Sequence, residues 1–157
     1  MVKAQVAREA PVIGYASREV FSPDAAWVFR YARSLVSRVS SHLDAGGREI
    51  RCHELARAVA CCLRVQGVDL QVVDGALWSI EHTWIVLPGT LDGSLLDVYA
   101  PGRLPQVQLL HEHRNVSRGY ASGVERSDVR HAVVDDLVRQ MILQRTRRGA
   151  DADPQDC

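Results

Sequence analysis

The chain has 157 residues, enough for one domain with a sizeable core, and its 46% hydrophobic and 24% charged residues are ordinary globular proportions. Its 19 basic and 19 acidic residues cancel, so no basic surplus points to nucleic acid or to an anionic membrane as partner. No stretch reaches the ~18 apolar residues of a membrane span, and Arg8 and Glu9 interrupt MVKAQVAREAPVIG before an apolar signal segment forms. The expectation is a cytoplasmic protein, with export by a signal-less route left open.

In chain order, Val12–Tyr15 is a candidate edge strand, and Ser22-Pro23-Asp24 is a helix start with Ser22 as N-cap and Pro23 in the first turn. Trp27, Tyr31, Leu35, Val39 and Leu43, spaced by four, predict a helix to about Asp44, stopped by Ala45-Gly46-Gly47. A second helix is predicted from Cys52 to Gln66. Its apolar stripe is Leu55, Val59, Cys62 and Leu63, its end is Gly67, and His53 and Glu54 fall on an exposed first turn. The periodicity then changes to that of strands over 70–73, 80–87 and 94–99, broken at Asp74-Gly75 and between Pro88 and Gly93. Val107–Leu110 is a further candidate strand. Ser127-Asp128 is predicted to cap a last helix to about Thr146, carrying Val129, Val133, Leu137, Met141 and Ile142. The sum is one α+β domain over 1–146 and a polar tail, 147–157, expected to be disordered.

Four cysteines (Cys52, Cys61, Cys62, Cys157) in a chain of this length do not make a disulfide scaffold, and reduced thiols are expected. Cys61 and Cys62 read as core filler. Cys52 differs because it stands at a helix start, where the dipole favours a thiolate. His82 lies on one strand and Asp97 on the next. An imidazole can take the thiol proton and return it to a leaving group, while a carboxylate beyond the ring fixes the tautomer. If the two strands pair as a hairpin, a turn centred between Gly89 and Thr90 sets His82 opposite Asp97. A turn one residue later makes them diagonal neighbours, and both registers leave roughly 5–8 Å between Cβ atoms. A half-residue offset between these would put them on opposite faces.

Weighed singly, each residue has a blander reading. A free cysteine is usually a small buried hydrophobe, a strand histidine a satisfied wall residue, and a carboxylate between Leu96 and Val98 a partner for a turn. Their order along the chain favours chemistry. Trp78 and Trp84 read as packing, with Trp84 also a candidate for a substrate cleft. His111 and His113 form an H-x-H pair without a convincing third ligand.

The run C-H-E-L-A-R-A-V-A…L…G-V, then H-T-W-I-V, then L-L-D-V-Y, resembles the transglutaminase-like core of the papain-like cysteine enzymes. That core orders its triad cysteine, histidine, aspartate, and the likeness covers about 50–102. C-H-E and D-V-Y-A-P-G are also similar, more distantly, to motifs of the longer arylamine N-acetyltransferases. The resemblance implies a catalytic helix packed on a small antiparallel sheet, with Cys52, His82 and Asp97 as triad. It implies a cysteine hydrolase or acyltransferase acting on an amide in a peptide, a protein or a small molecule, without metal or organic cofactor. The Cys52 N–H is one expected oxyanion donor, with the Trp27 indole or Arg51 as candidates for the second. The alternatives are an inactive binding or assembly module of the same fold, or a zinc-stabilised domain drawing on Cys52, Cys61, Cys62, His82, His111 and His113.

Overall fold

A computed structural model of the protein describes residues 25–39, 46–88, 94–99, 107–110 and 119–150. They form three helices and one antiparallel sheet, an α+β arrangement as the patterning predicts. The expected edge strand near Val12, the Ser22-Pro23 helix start, the His111–His113 pair and Cys157 lie outside the described residues. No described helix is long and apolar enough to cross a membrane.

Helix α1 (Ala25–Val36) is shorter than predicted. Ser34 Oγ donates to the Tyr31 carbonyl at 2.8 Å and Ser37 Oγ to that of Ser34 at 2.9 Å. The N–H groups of Arg38 and Val39 then bond three residues back rather than four, so the last turn tightens and the helix ends. Its buried face is Val28, Ala32, Leu35 and Val36, one step round from the predicted stripe, with Trp27 and Tyr31 on the flank.

Helix α2 (Cys52–Val65) falls where expected. Arg51 is its extended N-cap, and Gly67 ends it at a φ of 82° that glycine adopts without strain. The Gly67 and Val68 N–H groups close back onto Arg64 and Leu63, satisfying two carbonyls at the helix end. Helix α3 (His131–Ala150) packs on one side of α2 and the sheet on another, which buries α2 far beyond a single stripe. His53 and Glu54, expected on the surface, are therefore 2% and 0% exposed. Cys61 is the opposite correction: it points to solvent, while Cys62 lies in the core against Met141.

The strands are β1 (Gln71–Leu77), β2 (Ile80–Leu87), β3 (Ser94–Asp97), β4 (Gln108–Leu110) and β5 (Tyr120–Ser122), in the order β4-β3-β2-β1-β5. Asp74-Gly75 does not break β1. Asp74 is buried and bonded to Arg57 of α2 and Thr83 of β2. Gly75 lies where β5 crosses closest, since a Cβ there would stand 2.1 Å from the Ala121 carbonyl oxygen. The turn is Trp78-Ser79, both at positive φ, as a two-residue hairpin loop requires. Side chains alternate across β2: Ile85 and Leu87 join the main core with Leu55, Val59 and Leu63, while Trp84 packs with Leu95, Val73, Val86 and Tyr120 on the other face.

Helix α3 starts at His131, three residues later than predicted, and runs through 147–150, which the sequence assigned to a disordered tail. Asp128 does not cap it because its carboxylate is held by Arg126 and Arg51. The Arg130 carbonyl receives the first N–H groups instead. Val133, Leu137 and Met141 are buried as expected, but Ile142 is exposed.

Glu54 carries the charge that joins these helices. Its carboxylate accepts from Arg130 Nε and Nη2, the Arg51 guanidinium and the Arg51 N–H. Burial alone would raise its pKa; Arg130 and Arg51 overcome that and bring it to about 2. Asp74 is likewise brought to about 2, burial being outweighed by Arg57, Thr83 and the Arg126 N–H. Folded values below the unfolded ones mean stability that is present above the unfolded pKa and lost as pH falls toward the folded one.

Urea titrations should therefore give constant stability from pH 7 to 5 and a decline from roughly pH 4 toward 2. Glu54→Gln should lessen that slope and cost about 3 kcal/mol at pH 7, because the two arginines lose their buried counter-charge. Gly75→Ala should cost about 2 kcal/mol by forcing β5 away, read as a lower urea midpoint at unchanged slope.

Candidate active site

Cys52 is the first residue of α2, so its sulfur sits at the positive end of the helix dipole. His82 comes from the third position of β2 and Asp97 ends β3. The β2–β3 register pairs Ile85 with Leu96 and Leu87 with Ser94. Continued, it sets Trp84 opposite Asp97, which leaves His82 diagonal to Asp97 on the same face. This is the second of the two compatible registers.

His82 Nε2 and Asp97 Oδ2 are 2.8 Å apart, and the two side chains are 3% and 1% exposed. With Nε2 committed to the carboxylate, Nδ1 is the nitrogen left for the thiol, and the ring lies beside Cys52 closely enough for each to shift the other's titration. Asp97 is further satisfied by the Tyr99 N–H at 3.0 Å on Oδ1 and by the Tyr120 hydroxyl at 2.6 Å on Oδ2.

These contacts set the protonation states. Burial pushes the Cys52 thiol up, but hydrogen bonds from His53 and His82, the charge of His82 and the Thr83 N–H outweigh it, lowering the thiol to about 6. Burial pushes His82 down, and hydrogen bonds to Asp97 and Cys52 with their negative charge raise it to about 9. Between these values the proton sits on the ring and the sulfur is a thiolate. Cys62, buried beside Cys61, is raised to about 11, as expected of a packed thiol.

A cleft of about 330 Å³ opens on this group, walled by Glu49, Ile50, Arg51, Cys52, His53, Ile80, Glu81, His82, Tyr99 and Arg126. Arg51 is among these residues, whereas neither tryptophan proposed from sequence is. Trp27 stacks on Tyr31 along α1, with centroids 5.2 Å apart. Trp84 is buried behind the His82 ring, edge-on to Tyr120 at 5.1 Å. Trp84 therefore backs the His82 ring and is not among the residues that wall the cleft.

Three contributors escaped sequence reasoning. His53 is buried against the thiol, and its Nε2, 4.0 Å from Glu54 Oε1, has no hydrogen-bond partner among the described residues. Tyr99 contributes through its backbone N–H, which carries no sequence signal. Tyr120 belongs to a three-residue strand, too short to show alternation. Among the described residues no group of three or more histidine, cysteine, aspartate or glutamate side chains is placed to hold a metal. The chain matches no protein-family model, no curated protein and no solved structure.

Alkylation by iodoacetamide, followed at each cysteine by mass spectrometry, should proceed at Cys52 with a midpoint near pH 6. Cys62 should stay unreactive until far higher pH. His82→Ala should move the Cys52 midpoint up to roughly 8.5, the value of an ordinary thiol.

Proposed function

We propose that the protein is a cysteine hydrolase or acyltransferase of the transglutaminase-like, papain-like type. The observation that carries the reading is the buried His82 ring, held by Asp97 on one nitrogen and in contact with the Cys52 thiol. Structural histidines rarely need both a buried carboxylate and a helix-start cysteine, whereas a nucleophile with its proton carrier needs both.

The Cys52 thiolate adds to an acyl carbon, and the Cys52 N–H donates to the oxygen as it gains charge. The His82 imidazolium hands its proton to the departing amine, leaving a thioester on Sγ. Water or a second amine then attacks that thioester, losing a proton to His82, and the thiolate leaves. Asp97 holds the ring orientation throughout. No step calls for a metal or an organic cofactor. A cleft of about 330 Å³ is at the small end of binding pockets, which run from ~300 to ~1,000 Å³. It suits one side chain of a peptide or protein substrate, or a small amide.

A panel of peptidyl arylamides and glutamine-containing peptides, with and without a primary amine, tests the reading. Turnover should be accompanied by a thioacyl adduct on Cys52, and Cys52→Ala should lower the rate at least ~10³-fold while the far-UV spectrum and melting temperature hold. A folded Cys52→Ala variant that turns over at the wild-type rate removes the assignment. An inert wild-type thiol would instead favour a binding module of the same fold.

A further inference from the structure

Asp97 has a third donor besides His82 and the Tyr99 N–H, and it comes from the far side of the sheet. Tyr120 is on β5, two strands away from His82 through β1, yet its hydroxyl donates to Asp97 Oδ2 at 2.6 Å. The β1 residue paired with His82 between them is Gly75, where a Cβ would meet the Ala121 carbonyl and the Trp84 ring. The phenol ring is held edge-on to Trp84 and 6.2 Å from the His82 ring. The hydroxyl and His82 Nε2 thus share one carboxylate oxygen.

We propose that Tyr120 is a positioning residue for the Cys52–His82–Asp97 group, drawing charge from the shared Asp97 oxygen and so setting how firmly Asp97 holds the His82 proton. The inference rests on the catalytic reading above. A carboxylate that accepts a second strong hydrogen bond is a weaker partner for an imidazolium. With the hydroxyl removed, Asp97 holds the His82 proton more strongly, and the imidazolium persists to higher pH. The other ionisable groups around the pair are His53 and Arg57 from α2, Asp74 from β1, Glu81 from β2, and Tyr99 and Arg126 from the flanking segments. None of them donates a side-chain hydrogen bond to Asp97 among the described residues, so Tyr120→Phe isolates one interaction.

The test is the pH titration of the His82 imidazole in the full chain, followed by NMR with 15N-labelled histidine and assigned by its loss in His82→Ala, for wild type, Tyr120→Phe and a variant with 3-fluorotyrosine at position 120. Phenylalanine keeps the ring that packs on Trp84, and the fluorinated ring keeps the hydroxyl as a stronger donor. Tyr120→Phe should raise the His82 midpoint by roughly one pH unit, the shift typical of one hydrogen bond to a charged group. Fluorotyrosine should lower it, an opposite movement that a packing role does not produce. A Tyr120→Phe midpoint equal to or below that of wild type, with Cys52 still alkylated as a thiolate near neutral pH, overturns the role of Tyr120 and leaves the catalytic reading standing. A wild-type Cys52 that titrates as an ordinary thiol overturns both.

Discussion

The buried carboxylate of Glu54 is the constraint from which the geometry of the site follows. It stands in the first turn of α2 with no exposure, and an unpaired charge there would cost several kcal/mol. Arg130 and Arg51 remove that cost from two directions. Arg130 is also the residue whose carbonyl receives the first N–H groups of α3, and its guanidinium reaches the Glu49 carbonyl at 2.7 Å. One side chain therefore ties the start of α3, the approach to α2 and the first turn of α2 together. The thiol of Cys52, two residues before Glu54, inherits its position from that knot.

Asp74 does for the sheet what Glu54 does for the helices. It grips Arg57 one turn along α2 and the Thr83 hydroxyl on β2, and accepts the Arg126 N–H from the segment after β5. Thr83 is next to His82, and its N–H contributes to lowering the Cys52 thiol. Two buried carboxylates that touch neither the thiol nor the imidazole thus anchor the elements that carry them. Replacing such ion pairs by apolar residues is often neutral for stability. Their value here is geometric, because a thiol and an imidazole transfer a proton well only within hydrogen-bond reach.

What the sequence disclosed, and what it hid, follows from the same arrangement. Strand β2, the start of α2 and the order of Cys52, His82 and Asp97 were legible because each depends on local pattern. Parity marks two registers as compatible with a His82–Asp97 pair and the one between them as incompatible, and the strands adopt the second of the two. His53 and Glu54 were misplaced because a helix buried against both a sheet and another helix has no single apolar stripe to read. Asp74-Gly75 has turn composition, but a buried ion pair and a close strand crossing use those two residues for other purposes. The true turn, Trp78-Ser79, has none of the usual chemistry. Trp27 and Trp84 were nominated on residue type, which says nothing about the direction in which a side chain points.

Magnitudes indicate what this construction does for a reaction. Lowering a thiol from an ordinary ~8.5 to about 6 raises the thiolate fraction at pH 7 roughly 30-fold. The same change makes each thiolate a weaker nucleophile by about 13-fold, given a Brønsted dependence of ~0.45. The net gain in attack is only about twofold. An amide, however, is limited by departure of its amine, which must take a proton as the C–N bond breaks. In the proposed reaction that proton would come from His82, beside the sulfur that would carry the acyl group. Activation of the nucleophile is thus the smaller effect, and storage of that proton the larger. In the proposed reaction the strength with which Asp97 holds the imidazolium would then govern the rate more than the acidity of the thiol does, which is why the donors around a carboxylate that never meets substrate would belong to the chemistry of the site.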